Sequence, residues 1–399
     1  MKLALMKPYQ LHEYPGILTA LGGACAFIVV MGIGRFAFTA LLPGMMASHG
    51  FGDDVAGMMA SWNYAGYLAG VLLMRKEKPG QRRFNLFAVF LLLSLITTAG
   101  MGLVKEWYLL HTSRFLAGFA SGACFVLCSA IVLDTLAAVD RPVLAGLLYS
   151  GVGAGIAISG LTAGPLEATG GCAVAWLGMA ALCLPLAAVS VFALRPSRNY
   201  ALPLPAASGD ICSAQKKASS KYVLLLIAYF LEGFGYIIGA TFLVALVQNV
   251  TNSPEIAKAS WIVTGCAAAL SAPVWRLLAA RKGYLPVLTC AFALQAAGTL
   301  LPVLSSSTFA ALGGGLFLGG TFMGITVLSL QYGVLLSGKP SANTVAVMTV
   351  LYGAGQIIGP IVASEMGFYL AFVVSAASML AGGGVLFVAR YLCRKGGVL

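Results

Sequence analysis

The chain alternates long apolar runs with short polar punctuation. The runs reach roughly 20 residues or more, enough to cross a hydrocarbon core of about 30 Å at 1.5 Å per helical residue. A stretch such as Phe84-Asn85-Leu86-Phe87-Ala88-Val89-Phe90-Leu91-Leu92-Leu93 has no two-residue alternation, which sets aside a barrel built from strands of about ten residues. Helices follow, because backbone polar groups in lipid must find partners within their own segment. Read against turns and charges, the pattern predicts twelve transmembrane spans near 17–47, 53–74, 84–104, 107–137, 142–166, 172–195, 221–249, 256–280, 284–304, 308–337, 341–365 and 367–392. Between the sixth and seventh, Pro196, Pro203, Pro205, Ser208, Gly209, Lys216 and Lys217 have the chemistry of a linker. The expected organisation is a six-helix bundle over 1–195, a linker over 196–220 and a second six-helix bundle over 221–399.

Composition narrows the class. Of 399 residues, 60% are hydrophobic and 9% charged, against about 25% charged in soluble domains, which excludes an ordinary soluble enzyme. A net charge of +12 would suggest nucleic acid in a soluble protein, but here the basic residues mark membrane orientation. Of the 24 lysines and arginines, twenty fall on the side of the linker and both termini, and only Lys105 and Lys258 on the other. The positive-inside bias therefore puts linker and termini in the cytoplasm. The remaining two, Arg35 and Arg114, lie within spans. Cysteines inside spans, such as Cys124, Cys128 and Cys183, form no CxxC pattern and read as packing residues. His12, His49 and His111 do not cluster, so no metal or other cofactor is expected. Gly32-Ile33-Gly34 has no preceding strand and no Walker loop exists, which argues against nucleotide chemistry.

Internal repetition supports the division into halves. Phe115-Leu116-Ala117-Gly118 through Gly122 resembles Phe317-Leu318-Gly319-Gly320 through Gly324, at an offset of 202 residues. Gly153-Ala154-Gly155 matches Gly353-Ala354-Gly355, and Gly32-Ile33-Gly34 matches Gly233-Phe234-Gly235, at offsets of 200 and 201. Three matches in register indicate a duplicated six-helix unit. Chance in a chain with 49 glycines is the competing account.

At these residues the sequence resembles the major facilitator superfamily of secondary transporters. Leu110, Arg114 and Gly118 are similar to the leucine, arginine and glycine of its fourth-helix motif. After the second span, Gly70 and Gly80-Gln81-Arg82-Arg83 fit the family's glycine-and-basic loop, but Met74 stands where an aspartate is usual. Gly32 to Thr39 with Pro43, Asn63 to Gly70, and Tyr149 to Gly160 are similar to the bacterial YbfB/YjiJ group. The resemblance implies an all-α polytopic protein of two pseudo-symmetric bundles in the bacterial inner membrane, working as a carrier.

Ionisable residues at membrane depth are costly and therefore functional candidates. Arg35 in the first span and Glu232 in the seventh lie on helices that, in the superfamily fold, both line the central cavity. Arg35 is expected to hold an anionic group through its forked donors; its bland role is a helix fastener. Glu232 is expected to carry a proton, with desolvation and a nearby arginine competing to set its charge; the alternative is a gate salt bridge with Arg35. Arg114 is a second proton-coupling candidate, or else a helix tie. Neutral candidates for binding the solute are Thr39, Asn63, Tyr67, Tyr149, Tyr236, Tyr352 and Gln356. The glycines of the fifth and eleventh spans, with Pro360, suit close packing and rocking at the seam. The fifth-span run partly resembles the antiporter helix, with Ile156 in place of the expected proline, so efflux by antiport is favoured over uptake by symport.

The expectation is thus a monomeric, proton-coupled carrier of a small organic solute, anionic or amphipathic, working by alternating access in the bilayer. It is not an enzyme and binds no nucleic acid. A ligand sensor built on a carrier fold is the rival class, with the lack of any soluble output domain against it.

Overall fold

The computed structural model describes residues 13–195, 220–337 and 341–395, so most of the expected linker lies outside the described residues. In chain order the helices are α1 (Glu13–Phe27), α2 (Ala37–His49), α3 (Asp53–Met74), α4 (Gln81–Leu103), α5 (Trp107–Ala138), α6 (Ala145–Leu194), α7 (Ser220–Thr251), α8 (Pro254–Lys282), α9 (Tyr284–Leu304), α10 (Thr308–Ser337), α11 (Ser341–Met366) and α12 (Phe368–Lys395). No strand occurs among the described residues. A π-helical turn, Ile28–Ile33, joins α1 to α2.

Among the described residues, ten segments are long and apolar enough to cross a membrane. One of them, Pro142–Leu194, runs for 53 residues, far more than one crossing needs. It divides where Gly170 and Gly171 leave helical geometry, Gly171 at φ +74°, a left-handed conformation that glycine adopts without steric cost. The predicted boundary between the fifth and sixth spans falls there. The 22-residue α3 is not among the ten; it opens on Asp53 and Asp54, whose charge suits a helix N-terminus. Helix α8 begins with a local device: Ser253 Oγ accepts the Ile256 N–H at 3.3 Å, and Pro254 follows at the first helical position.

Apolar side chains are exposed around the outside, among them Leu73, Leu92 and Phe192, each more than half exposed. Such a surface belongs in lipid rather than water. Inside, glycines set the helix spacing. A Cβ on Gly118 would collide with the backbone of Asn63, and one on Gly319 with the backbone of Thr264. These contacts join α3 to α5 and α8 to α10, and both partners are displaced by 201 residues. The true counterpart of Gly118 in packing is therefore Gly319, one residue earlier than the sequence match to Gly320. Gly32 against Gly155 has a similar counterpart in Gly355 against Gly233 and Phe234. Small residues that let backbones touch are what helix association in lipid requires, because no hydrophobic force drives it there.

Candidate functional site

Arg35 stands at a defect in the first span. Gly34 N–H donates to Val29 O at 2.8 Å and Phe36 N–H to Met31 O at 3.1 Å, both five residues back, so the helix is widened at this point. Such π-bulges release the regular side-chain register and are frequent at functional sites. The expected span of 17–47 passes through this widened turn as one apolar segment, Gly16–His49, and the glycine pair Gly32 and Gly34 is the hint of the turn in the sequence.

The widened turn delivers Arg35 to a cage of rings. Its Cζ lies 4.1 Å from the centroid of Tyr67, 4.7 Å from Tyr64 and 5.3 Å from Phe36. The residue is 3% exposed, and its Nε and Nη2 have no hydrogen-bond partner. Arg114, equally buried, sits behind it. Its Nη2 donates to the carbonyl of Arg35 at 3.4 Å and its Cζ lies 4.4 Å over Phe38. Asn63 donates from Nδ2 to the Arg114 carbonyl at 2.8 Å. Asn63 therefore ties α3 to α5 rather than joining the ring cage, and Thr39 ties α2 to α7 by donating to Ala240 O at 2.6 Å.

Glu232 lies in the middle of α7, fully buried, with neither carboxyl oxygen completing a hydrogen bond. Its polar neighbours are Tyr352 and Gln295. Gln295, on α9, is also fully buried with both amide atoms unpartnered. Around this carboxyl, aromatic rings stack in series. Tyr229 and Tyr352 are 4.5 Å apart, Tyr352 and Tyr236 5.6 Å, and Tyr236 and Phe322 5.4 Å, with interplanar angles of 21°, 16° and 7°. Gln356 Nε2 donates to the Tyr236 hydroxyl at 2.8 Å. Three expected residues, Tyr236, Tyr352 and Gln356, are thus brought to the Glu232 side.

The two clusters meet without an ion pair. No Arg35–Glu232 salt bridge occurs among the described residues. Tyr64 and Thr241 share a hydrogen bond of 3.0 Å across α3 and α7. Residues the sequence reading passed over are Tyr64, Gln295 and the aromatic partners Tyr229 and Phe322. Gln295 carried a usable signal, an uncharged polar side chain at membrane depth. Tyr64 had one too, lying three residues from Tyr67 on one helix face.

A cavity of about 760 Å³ opens between α5, α6, α8 and α10, lined by Pro142, Tyr149, Arg276 and Gln331 among others. Tyr149 connects it to Arg35 through rings: Tyr149 lies 6.1 Å from Phe125, and Phe125 6.2 Å from Tyr67. At the opposite end, Lys258 Nζ and Glu167 Oε2 pair at 2.7 Å and join α8 to α6. Asp134 pairs instead with Arg83, at 2.7 Å between α5 and α4.

A family model described as "Uncharacterised MFS-type transporter YbfB" matches residues 27–394. No individually curated protein matches the sequence. In fold, 287 solved chains are similar. One is a crystal structure of a point mutant of the nucleoside transporter NupG, with a TM-score of 0.66 and 14% identity over 95% of this chain and 99% of that one. At such identity the likeness concerns the fold alone.

Proposed function

We infer function from a plain premise: this chain belongs to the family of MFS-type transporters described by YbfB, and is therefore a multi-pass membrane transporter of small molecules. Within that class we read it as a secondary carrier of the bacterial inner membrane, alternating its central site between the two faces and coupled to protons. We read twelve spans by dividing the 53-residue segment at Gly170–Gly171 and adding α3 to the ten apolar segments, and take them as two bundles, 1–195 and 221–399, about the linker. The positive-inside bias supports cytoplasmic termini, and on that orientation the cavity beside Pro142 and Arg276 faces the cytoplasm while Lys258–Glu167 closes the outer side.

One observation carries the coupling role. Glu232 is a fully buried carboxyl with, among the described residues, no cation paired to it and no partner on either oxygen, so we assign the handling of its charge to a proton or to the solute. Arg35 is the anchor for the solute, with Tyr67 and Tyr149 on its route and Tyr236, Tyr352 and Gln356 facing it from the later helices. Arg114, Thr39 and Asn63 hold that geometry. Transport by exchange with protons, outward, is the direction we favour.

The test is transport in proteoliposomes carrying an imposed pH gradient, with solutes screened for proton movement. Glu232→Gln should abolish gradient-driven accumulation while retaining some binding of the solute. Full accumulation by that variant would remove Glu232 as the coupling group, and no solute-linked proton movement in the native protein would remove coupling altogether.

A further inference from the structure

We propose that the solute is an organic monocarboxylate, held by its two oxygens on one edge of Arg35, with the rest of its body against aromatic side chains. This rests on the carrier reading above and narrows its cargo.

The guanidinium is enclosed by three rings, whose faces stabilise a cation electrostatically, and the Tyr67 hydroxyl is also a polar neighbour of it. What the surroundings leave unmet is specific: Nε and Nη2, both buried and both without a partner. These two N–H groups share one edge of the guanidinium and point in parallel, at the spacing of the two oxygens of a carboxylate. A buried cation without a counter-charge is costly, and no acidic side chain pairs with it among the described residues. An anion arriving in the guanidinium plane removes both deficits at once.

One carboxylate fits better than a doubly charged group. The other cation nearby, Arg114, is engaged with the Arg35 carbonyl and the Phe38 ring. Its remaining donors Nε and Nη1 are unpartnered, which makes a dianion the rival to be separated by experiment. The body of the solute is read from the route. Tyr149 lines the cavity, and Phe125 and Tyr67 continue from it ring beside ring to Arg35, so a solute reaching the guanidinium along them meets aromatic faces that suit an apolar or aromatic body better than a polyhydroxylated one.

The experiment measures binding to the purified full-length protein, by calorimetry and thermal shift, of benzoate and cyclohexanecarboxylate. Benzamide, benzylamine, phenyl phosphate and phthalate serve as comparators. The acids should bind and raise the melting temperature, and benzamide should bind about tenfold more weakly or worse, since it keeps the shape and loses the charge. Arg35→Lys should weaken the acids by about tenfold, because an ammonium offers a point charge in place of a fork. The benzoate–benzamide comparison needs no variant, so a misfolded lysine protein does not blunt the test. Preference for phenyl phosphate or phthalate, equal binding of acid and amide, or no binding of either acid overturns the proposal. A neutral or cationic solute that binds and moves protons would end the carboxylate assignment and leave the carrier reading standing. An acid that binds yet neither accumulates nor moves protons would do the reverse.

Discussion

Arg35 and Tyr236 occupy matching places 201 residues apart, each directly after a Gly-x-Gly triplet, and yet the two regions differ in nearly everything else. Around Arg35 the helix is widened, and the side chain is a cation among rings with unmet donors. Around Tyr236 the helix Ser220–Thr251 runs unbroken, and the ionisable group is Glu232, one turn earlier, with unmet acceptors and a tier of stacked tyrosines. The backbone frame is shared, since Gly32–Gly155 and Gly233–Gly355 are equivalent close approaches. The polar contents are opposite. A repeated scaffold thus brings equivalent glycine contacts to both regions, while the polar group beside them is a cation in one and a carboxyl in the other.

The sharpest way to break this comparison is to fill the frame. Gly155→Val would drive a side chain into the Cα of Gly32 and the backbone of Ile28, and Gly355→Val into the backbone of Phe230 and Phe234. Overpacking costs about 1–3 kcal/mol when side chains can move aside, and backbone cannot, so both variants should lose most of their monodisperse protein after extraction, measured by size-exclusion yield. Tolerance of one and not the other would show that the two seams are not mechanically equivalent.

A smaller effect probes the contents rather than the frame. Tyr236→Phe keeps the stack on Phe322 and Tyr352 but removes the acceptor for Gln356 Nε2, leaving a buried amide unsatisfied at a cost of about 1–3 kcal/mol. The melting temperature should fall by a few degrees, with solute affinity reduced but measurable. Tyr64→Phe, which removes the bond to Thr241 between α3 and α7, should fall by a similar amount. If only Tyr64→Phe matters, the polar work lies between the regions and not within the later one.

The fold was legible because lipid imposes a length and a polarity on every span. Even the break inside α6 at Gly170 and Gly171 falls between the expected spans 142–166 and 172–195, and the places of Arg35 and Glu232 in the first and seventh spans followed from the run of apolar residues around them. What the sequence could not convey is which way a polar side chain faces, since that depends on the register of neighbouring helices. Thr39 and the Nδ2 of Asn63 donate to Ala240 O and Arg114 O, bonds between helices that hydropathy does not reveal, while the Oδ1 of Asn63 stays unpartnered among the described residues. Gln295 looked like one amide among apolar residues and lies beside Glu232. The π turn at Ile28–Ile33 left only Gly32 and Gly34 as a trace, for a different reason: it alters hydrogen bonding by one residue without altering hydropathy.

The smallest predicted effect tests the seam at its closed end. Lys258 and Glu167 pair at 2.7 Å with side chains 21% and 18% exposed, joining α8 to α6 at the end away from the cavity. Partial exposure limits such a pair to about 1 kcal/mol, which is a factor of about five in the balance between two states. Lys258→Ala should therefore increase, by no more than several fold, the labelling of Cys172 by a membrane-impermeant maleimide. That thiol is 6% exposed and follows the Gly170–Gly171 break at the same end. Arg83→Ala removes an equally short pair, to Asp134, but one joining α4 to α5 on the same side of the seam, so Cys172 labelling should not change. Equal labelling in all three proteins would mean that Lys258–Glu167 is an ornament of a seam closed by glycine packing alone. Enhanced labelling only in Lys258→Ala would make the ion pair the part of that closure the carrier must break on each cycle.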